Sequence, residues 1–395
     1  MNKDEYLRCL EQLAVQNPQL TSELKILALK IMESDNPDEV ITEYLGKQAA
    51  CMKSEDENAQ TRPDMIFPVH KPYTREFRKK IKSAEQNEHL HNWARTVSSL
   101  PEYTLPVPVV DSNFILRAKD IWSQNIYGNE DVLEVILHHC IEYSKTGKTM
   151  PILLVGDPGV GKTLVAKNYA SILNLPSSFV SCPSAASGRG LSGAPNIYAG
   201  AGAGVVVQAM INHHAGNPVF FCDELDKITG RYSNIQDFEN ELLMLLDESS
   251  DSWYDNYLET CVDASHIPFI FAANEKDLIS PPLLDRMDVV RMESPTLEML
   301  HGIAWKFTLP RTMSLYDSDQ IQFGKDELDY LVDSLWNNGI RSCRTFQKAV
   351  KILVSKAYLK VIENNCSVVI TEPQIRATVD MCLQGNRKKT VGFGA

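Results

Sequence analysis

Eight consecutive residues, Gly156-Asp157-Pro158-Gly159-Val160-Gly161-Lys162-Thr163, constrain this chain more than any other stretch. They fit G-x-x-x-x-G-K-[ST], follow the apolar run Ile152-Leu153-Leu154-Val155, and open a helical segment, Leu164–Leu173. A strand, a glycine loop and a helix in that order make a phosphate cradle. Backbone N–H groups of the loop close around the anion, and the helix N-terminus favours its charge. Lys162 would supply charge to the β- and γ-phosphates, and the Thr163 hydroxyl would face Mg²⁺. The spacing thus nominates Asp157, Pro158, Gly159, Val160, Gly161, Lys162, Thr163 and Leu164 as nucleotide-binding residues. The alternative is a ligand-free glycine turn, and the strand–loop–helix context weighs against it.

Two more apolar runs end in polar residues: Val219-Phe220-Phe221-Cys222 before Asp223-Glu224, and Phe269-Ile270-Phe271-Ala272-Ala273 before Asn274. Helical segments lie between them. Apolar strands alternating with helices predict an α/β domain with a buried parallel sheet, and ligands bind at the carboxyl ends of such strands. After a phosphate loop, Asp223 is suited to hold Mg²⁺ and Glu224 to deprotonate the attacking water. Asn274 can position that water or touch the γ-phosphate, although Asn at a strand end is also a common turn residue. Arg286, in Pro282-Leu283-Leu284-Asp285-Arg286-Met287-Asp288, is the natural arginine finger; its plainer reading is an ion pair with Asp285 or Asp288. Arg341, in Gly339-Ile340-Arg341, opens a later helix and could reach the nucleotide from that side.

The chain has 395 residues and a net charge of −12, and no basic stripe is visible, so nucleic-acid binding as a main task is disfavoured. Nine cysteines at 9, 51, 140, 182, 222, 261, 343, 366 and 382 form no CxxC pair and read as thiols of a reducing compartment. The start, Met1 to Gln12, has no apolar core of a signal peptide, and the uncharged stretch Gly190–Cys222 is too polar for a membrane helix. These features predict a soluble, cytoplasmic protein.

The pattern divides the chain into a helical unit at 1–52, a linker at 53–72, a helical and extended lead-in at 73–120, the α/β domain at 121–294, a helical subdomain at 295–383 and a tail at 384–395. Phe77, Ile81, Ala84, Leu90, Trp93, Val97 and Leu100 mark one long amphipathic helix, its apolar face packed on the next domain or on a partner helix, the first being favoured. Thr371 and Gln374 read as a capping box for the last helix. The tail is basic and then apolar, either a free end or a peptide that docks an effector.

Taken together, the phosphate loop, Asp223-Glu224, Asn274, Leu283-Leu284-Asp285-Arg286 and Gly339-Ile340-Arg341 resemble an AAA+ ATPase. More narrowly they resemble the ATPase module of Lon proteases, through Pro218–Ile228, Glu241–Leu258, Phe269–Asn274, Pro282–Val290, Arg117–Gly128 and the lead-in Trp93–Pro101. The likeness spans about residues 89–383. It implies an AAA+ P-loop fold with a C-terminal helical lid and an N-terminal helical region, ATP and Mg²⁺ as ligands, and self-association in a ring, taken as hexameric. It makes Lys162 and Thr163 Walker A, Asp223 and Glu224 Walker B, Asn274 sensor 1, Arg286 the finger acting on the neighbouring subunit, and Arg341 sensor 2. Ile126, Tyr127 and Gly128 would touch adenine. Tyr198, in Ile197-Tyr198-Ala199-Gly200-Ala201, falls at the pore loop, whose glycine-rich surroundings are a departure. A Ser–Lys protease domain follows the module in Lon but not in these 395 residues. The expected function is therefore an ATP-driven motor that remodels a protein partner, without peptidase activity. The rivals are a nucleotide-dependent switch that recruits an effector, for example in phage defence, and a nucleic-acid-handling AAA+ ATPase.

Overall fold

The computed structural model describes residues 65–387 apart from 72, 86–89, 199, 229–232 and 317–319. The chain divides into units 1–60 and 61–395, and the described residues fall in the second. The helical unit expected at 1–52, the linker as far as residue 64 and the tail beyond 387 lie outside the described residues.

Helices α1 (Arg75–Glu85), α2 (His91–Ser98), α3 (Ser112–Asn125) and α4 (Glu130–Thr146) precede strand β1 (Ile152–Val155). Helix α5 (Lys162–Leu173), β2 (Ser177–Ser181), α6 (Cys182–Ser187), α7 (Val205–His213) and β3 (Val219–Asp223) follow. Helix α8 (Ser233–Leu245) leads to the hairpin β4 (Trp253–Asp255) and β5 (Thr260–Val262), then to β6 (Phe269–Ala273), α9 (Pro281–Leu284) and β7 (Asp288–Arg291). The last part holds α10 (Leu297–Ile303), α11 (Leu309–Met313), β8 (Ile321–Gln322), α12 (Lys325–Asn337), α13 (Cys343–Asn364), β9 (Val368–Val369) and α14 (Glu372–Arg387).

The three apolar runs form the middle of a five-stranded sheet ordered β2-β3-β6-β1-β7, every pair parallel. Successive side chains of a strand point to opposite faces. Leu153, Phe220, Cys222, Phe269 and Phe271 accordingly join one core, and Ile152, Leu154, Phe221, Ile270 and Ala272 the other. Each large apolar side chain buried this way contributes about 1.5–3 kcal/mol. The central strands therefore set the register, and the serine-rich strand β2 pairs at the edge. The helical part after residue 295 has its own core, with Leu328, Leu331, Leu335, Phe346 and Leu353 at its centre.

The single long helix expected over 77–100 is instead two helices. Along one helix Phe77 and Trp93 would stand about 24 Å apart; their rings lie 5.7 Å apart, edge to face. Folding back lets Ala84, Trp93, Ala94 and Val97 join the sheet core, so the apolar face packs within the chain. At the last helix the expected cap is present as a bond from the Thr371 N–H to Gln374 Oε1 at 2.9 Å.

Cys182 and Cys222 come together in the fold, with Cα atoms 5.7 Å apart. Strands β2 and β3 are neighbours, and Val180 pairs with Cys222, so the residue that follows β2 meets the end of β3. No spacing rule marks two cysteines 40 residues apart.

Among the described residues, no helix is long and apolar enough to cross a membrane.

Candidate functional site

Strands β3, β6 and β1 are consecutive neighbours in the sheet. Their carboxyl ends carry Asp223-Glu224, Asn274 and the glycine loop. Adjacent strands lie about 4.8 Å apart, so chain order alone keeps these groups apart and the sheet brings them together. Lys162, Thr163, Asp223, Glu224 and Asn274 all line one cleft of about 360 Å³, as do Ile126, Tyr127 and the loop residues Pro158 to Gly161 with Leu164.

The loop is held open by glycine. Gly159 and Gly161 have φ of +93° and +108°, which side chains with a Cβ rarely adopt. The Lys162 ammonium donates to Gly156 O at 2.6 Å, Asp157 O at 3.2 Å and Asn274 Oδ1 at 2.8 Å. Burial lowers its pKa, and nearby Arg344 adds to this, against the opposing charges of Asp223, Asp226 and Asp157. A buried ammonium beside the N-terminus of α5 suits a polyanion. Asp157 itself is turned to the rim, where it accepts from Ser294 Oγ at 2.8 Å.

Asp223 Oδ1 accepts the N–H of Glu224 at 2.8 Å. Glu224 sits at φ +62°, a left-handed backbone that costs a non-glycine residue on the order of 1 kcal/mol. Its carboxylate is paired with Lys227 and has Ser181 Oγ at 3.5 Å. The buried Asp226 ties this strand end to the next. Its Oδ2 accepts the N–H of Asn274 at 3.2 Å and of Glu275 at 3.3 Å. Sequence reasoning missed Asp226, because its partners are 48 and 49 residues away.

Thr163 and Asp223 fit the needs of a magnesium ion, a hydroxyl and a carboxylate lining the same cleft. Among the described residues no group of three or more His, Cys, Asp or Glu side chains could hold a metal. An ion here would take its remaining ligands from phosphate and water, which is the usual pattern for Mg²⁺.

On the far side, Ile126 and Tyr127 line both the cleft and an adjoining hollow, and Gly128 lines the hollow. A Cβ on Gly302 of α10 would stand 2.3 Å from the Tyr127 ring, so glycine lets the lid close on that ring. Ile303, Phe307 and Arg311 complete this end of the cleft; the stretch that carries them has no recognisable motif.

Two arginines named from sequence are not among the cleft-lining residues. Arg286 donates to Pro282 O at 3.0 Å and lies 3.8 Å from Asp247 Oδ2, in place of the expected Asp285 or Asp288. Arg341 donates to Trp336 O at 2.6 Å and stacks on the Trp336 ring. The lid residues that do line the cleft are Cys343, Arg344 and Gln347.

Ile197 and Tyr198 are 86% and 62% exposed, so Tyr198 fills no core. Gly193, Gly202 and Gly204 belong to the base of the loop. Ala194 bridges Gly202 in antiparallel fashion, and a Cβ on Gly204 would stand 2.0 Å from Leu191 O. Glu241 accepts the Leu191 N–H at 2.8 Å and pairs with the Ser192 hydroxyl. The fully buried Asp255 accepts the N–H groups of Gly204, Leu258 and Tyr257 at 2.8, 2.8 and 2.9 Å.

Burial pushes the Asp255 carboxyl up to about 6, against the lowering effect of those three bonds. Between the unfolded value, about 3.9, and 6 the folded chain holds a proton that the unfolded chain releases. The Asp255 contribution to stability should therefore fall by about 3 kcal/mol as pH rises through that window. Urea unfolding of the wild type and Asp255→Asn at pH 4 and pH 7 checks this. The difference between the two proteins should shift against the wild type at pH 7, and equal differences at both pH values would contradict it.

Residues 152–294 match the family described as ATPase family associated with various cellular activities (AAA). With the five-stranded parallel sheet, the chain carries an AAA+ module. That module is Lon-like. Lon protease of Chlamydia trachomatis is 34% identical over 257 residues, which are 63% of this chain and 30% of that protein. Lon protease of Porphyromonas gingivalis is 28% identical over 346 residues, 86% of this chain and 39% of the relative. Lon protease of Parabacteroides distasonis is 32% identical over 255 residues. The chain thus spans about a third of the length of these curated relatives.

Proposed function

We propose that this chain is a Mg²⁺-dependent ATPase motor of the cytoplasm, where ATP is supplied, and that it assembles as a ring and remodels a protein partner. The observation that carries the reading is the meeting of Lys162, Thr163, Asp223, Glu224 and Asn274 in one cleft. Lys162 and the loop N–H groups bind the phosphates. Bound at Thr163 and Asp223, Mg²⁺ would neutralise phosphate charge. Glu224 takes the proton of the attacking water once it leaves Lys227, an exposed ion pair that solvent screens. Asn274, fixed by Asp226 and Lys162, orients that water. Arg286 acts on the nucleotide of the next subunit, which requires a heterologous interface. Ring size is taken as six.

The exposed Ile197-Tyr198 tip on an anchored base favours a motor over a switch. A switch needs no protruding aromatic. The reading for these 395 residues stops at the motor and includes no peptidase step. Casein serves as an unfolded probe. It should stimulate ATP turnover of the wild-type chain and remain intact on a gel. Tyr198→Ala should keep basal turnover within about twofold and lose the stimulation. Equal stimulation in both proteins removes the threading role, and ATP-dependent casein cleavage, with contaminating proteases excluded, contradicts the motor-only reading.

A further inference from the structure

The Gly339-Ile340-Arg341 pattern nominates Arg341 as the lid cation facing the nucleotide, yet its side chain is engaged elsewhere. It donates to Trp336 O at 2.6 Å and Ile340 O at 3.2 Å, and its guanidinium carbon lies 3.5 Å from the Trp336 ring centroid. Turning it toward the cleft would give up two hydrogen bonds and a cation–π contact.

Arg344 is differently placed. It lies in the first turn of α13 and lines the cleft with the phosphate loop. A Cβ built on Gly159 would stand 3.7 Å from the Arg344 Cβ and 2.7 Å from Ser342 Oγ, so this helix start lies directly against the loop. The Arg344 charge reaches Lys162 and opposes protonation of that amine. Among the described residues the Arg344 guanidinium has no hydrogen-bond acceptor and no carboxylate partner. A free guanidinium facing a buried ammonium across a glycine loop is a repulsive arrangement until a polyanion enters between them. Arginine also matches phosphate oxygens in a planar fork.

We propose that Arg344, in place of Arg341, is the lid arginine that binds the polyphosphate of the nucleotide and so couples lid position to nucleotide state. This rests on reading the cleft as a nucleoside triphosphate site. The sequence hides the substitution because the two arginines are three residues apart, and only the start of α13 and the pull of Trp336 separate their directions.

The test is Mg-ATP and ADP binding by calorimetry, with ATP turnover, on the wild type, Arg344→Ala, Arg344→Lys and Arg341→Ala. Arg344→Ala should weaken ATP binding by about tenfold or more, the loss expected for a charge-assisted phosphate contact. Arg344→Lys should recover part of it, which separates the contact from a folding defect. Arg341→Ala should bind ATP within about twofold of the wild type and melt at a lower temperature, because it loses its contacts to Trp336. If the wild type binds ATP and Arg344→Ala binds it equally well, or if Arg341→Ala carries the loss, the assignment is overturned. A wild type that binds no ATP overturns the nucleotide reading of the cleft and this assignment with it.

Discussion

Glu224→Gln should bind Mg-ATP within about twofold of the wild type and release phosphate at least about 100-fold more slowly, the range of a lost general base. Lys162→Ala should lose binding itself. The division follows from geometry. The Lys162 ammonium is the buried cation of the loop, held by Gly156 O, Asp157 O and Asn274 Oδ1, and without it the cradle has lost its main charge. Among the described residues Glu224 makes no hydrogen bond or ion pair to the loop; Lys227 and Ser181 hold it just after β3, so its loss spares the cradle. Calorimetric binding together with steady-state phosphate release reads both effects. Equal loss of binding in the two variants would contradict the separation of roles.

Arg286→Ala should lower turnover by about 10³-fold or more, the usual weight of an arginine finger, while ATP binding is preserved. Within its own chain the guanidinium is not among the residues lining the cleft and rests on Pro282 O and near Asp247. In the proposed ring it would reach a nucleotide across a subunit boundary. Mixing Arg286→Ala with Lys162→Ala should therefore restore part of the activity, since an intact loop of one parent then meets an intact finger of the other. A strictly monomeric and fully active protein would falsify the shared site.

What the sequence reveals and what it conceals divide along chain distance. The phosphate loop is consecutive, so its chemistry is legible at once. Strands β1, β3 and β6 are buried on both faces and read as unbroken apolar runs. The outer strands Ser177–Ser181 and Asp288–Arg291 carry serines or charges because they sit at the edges, and they escape a search for apolar runs. Asp226 is invisible for a different reason: its role depends on the parallel pairing of β3 with β6, which no local pattern encodes.

The lid gives the same lesson at short range. Arg341 and Arg344 both follow a helix stop in the sequence, and a motif favours the first. What redirects it is one aromatic, Trp336, five residues earlier. The glycines around Ile197 and Tyr198 also change meaning once folded. They permit the close crossing of the loop's two legs at Gly193 and Gly204, and the exposed tip stands on that crossing.

The proposed function requires that this cleft hydrolyse ATP through its own residues. Phosphate release by the purified 395-residue chain with Mg-ATP, in parallel with Lys162→Ala purified in the same way, tests it most directly. Release by the wild type should stop when EDTA is added and should be lost in Lys162→Ala. Release that is equal in the two proteins, or that persists in EDTA, would contradict it.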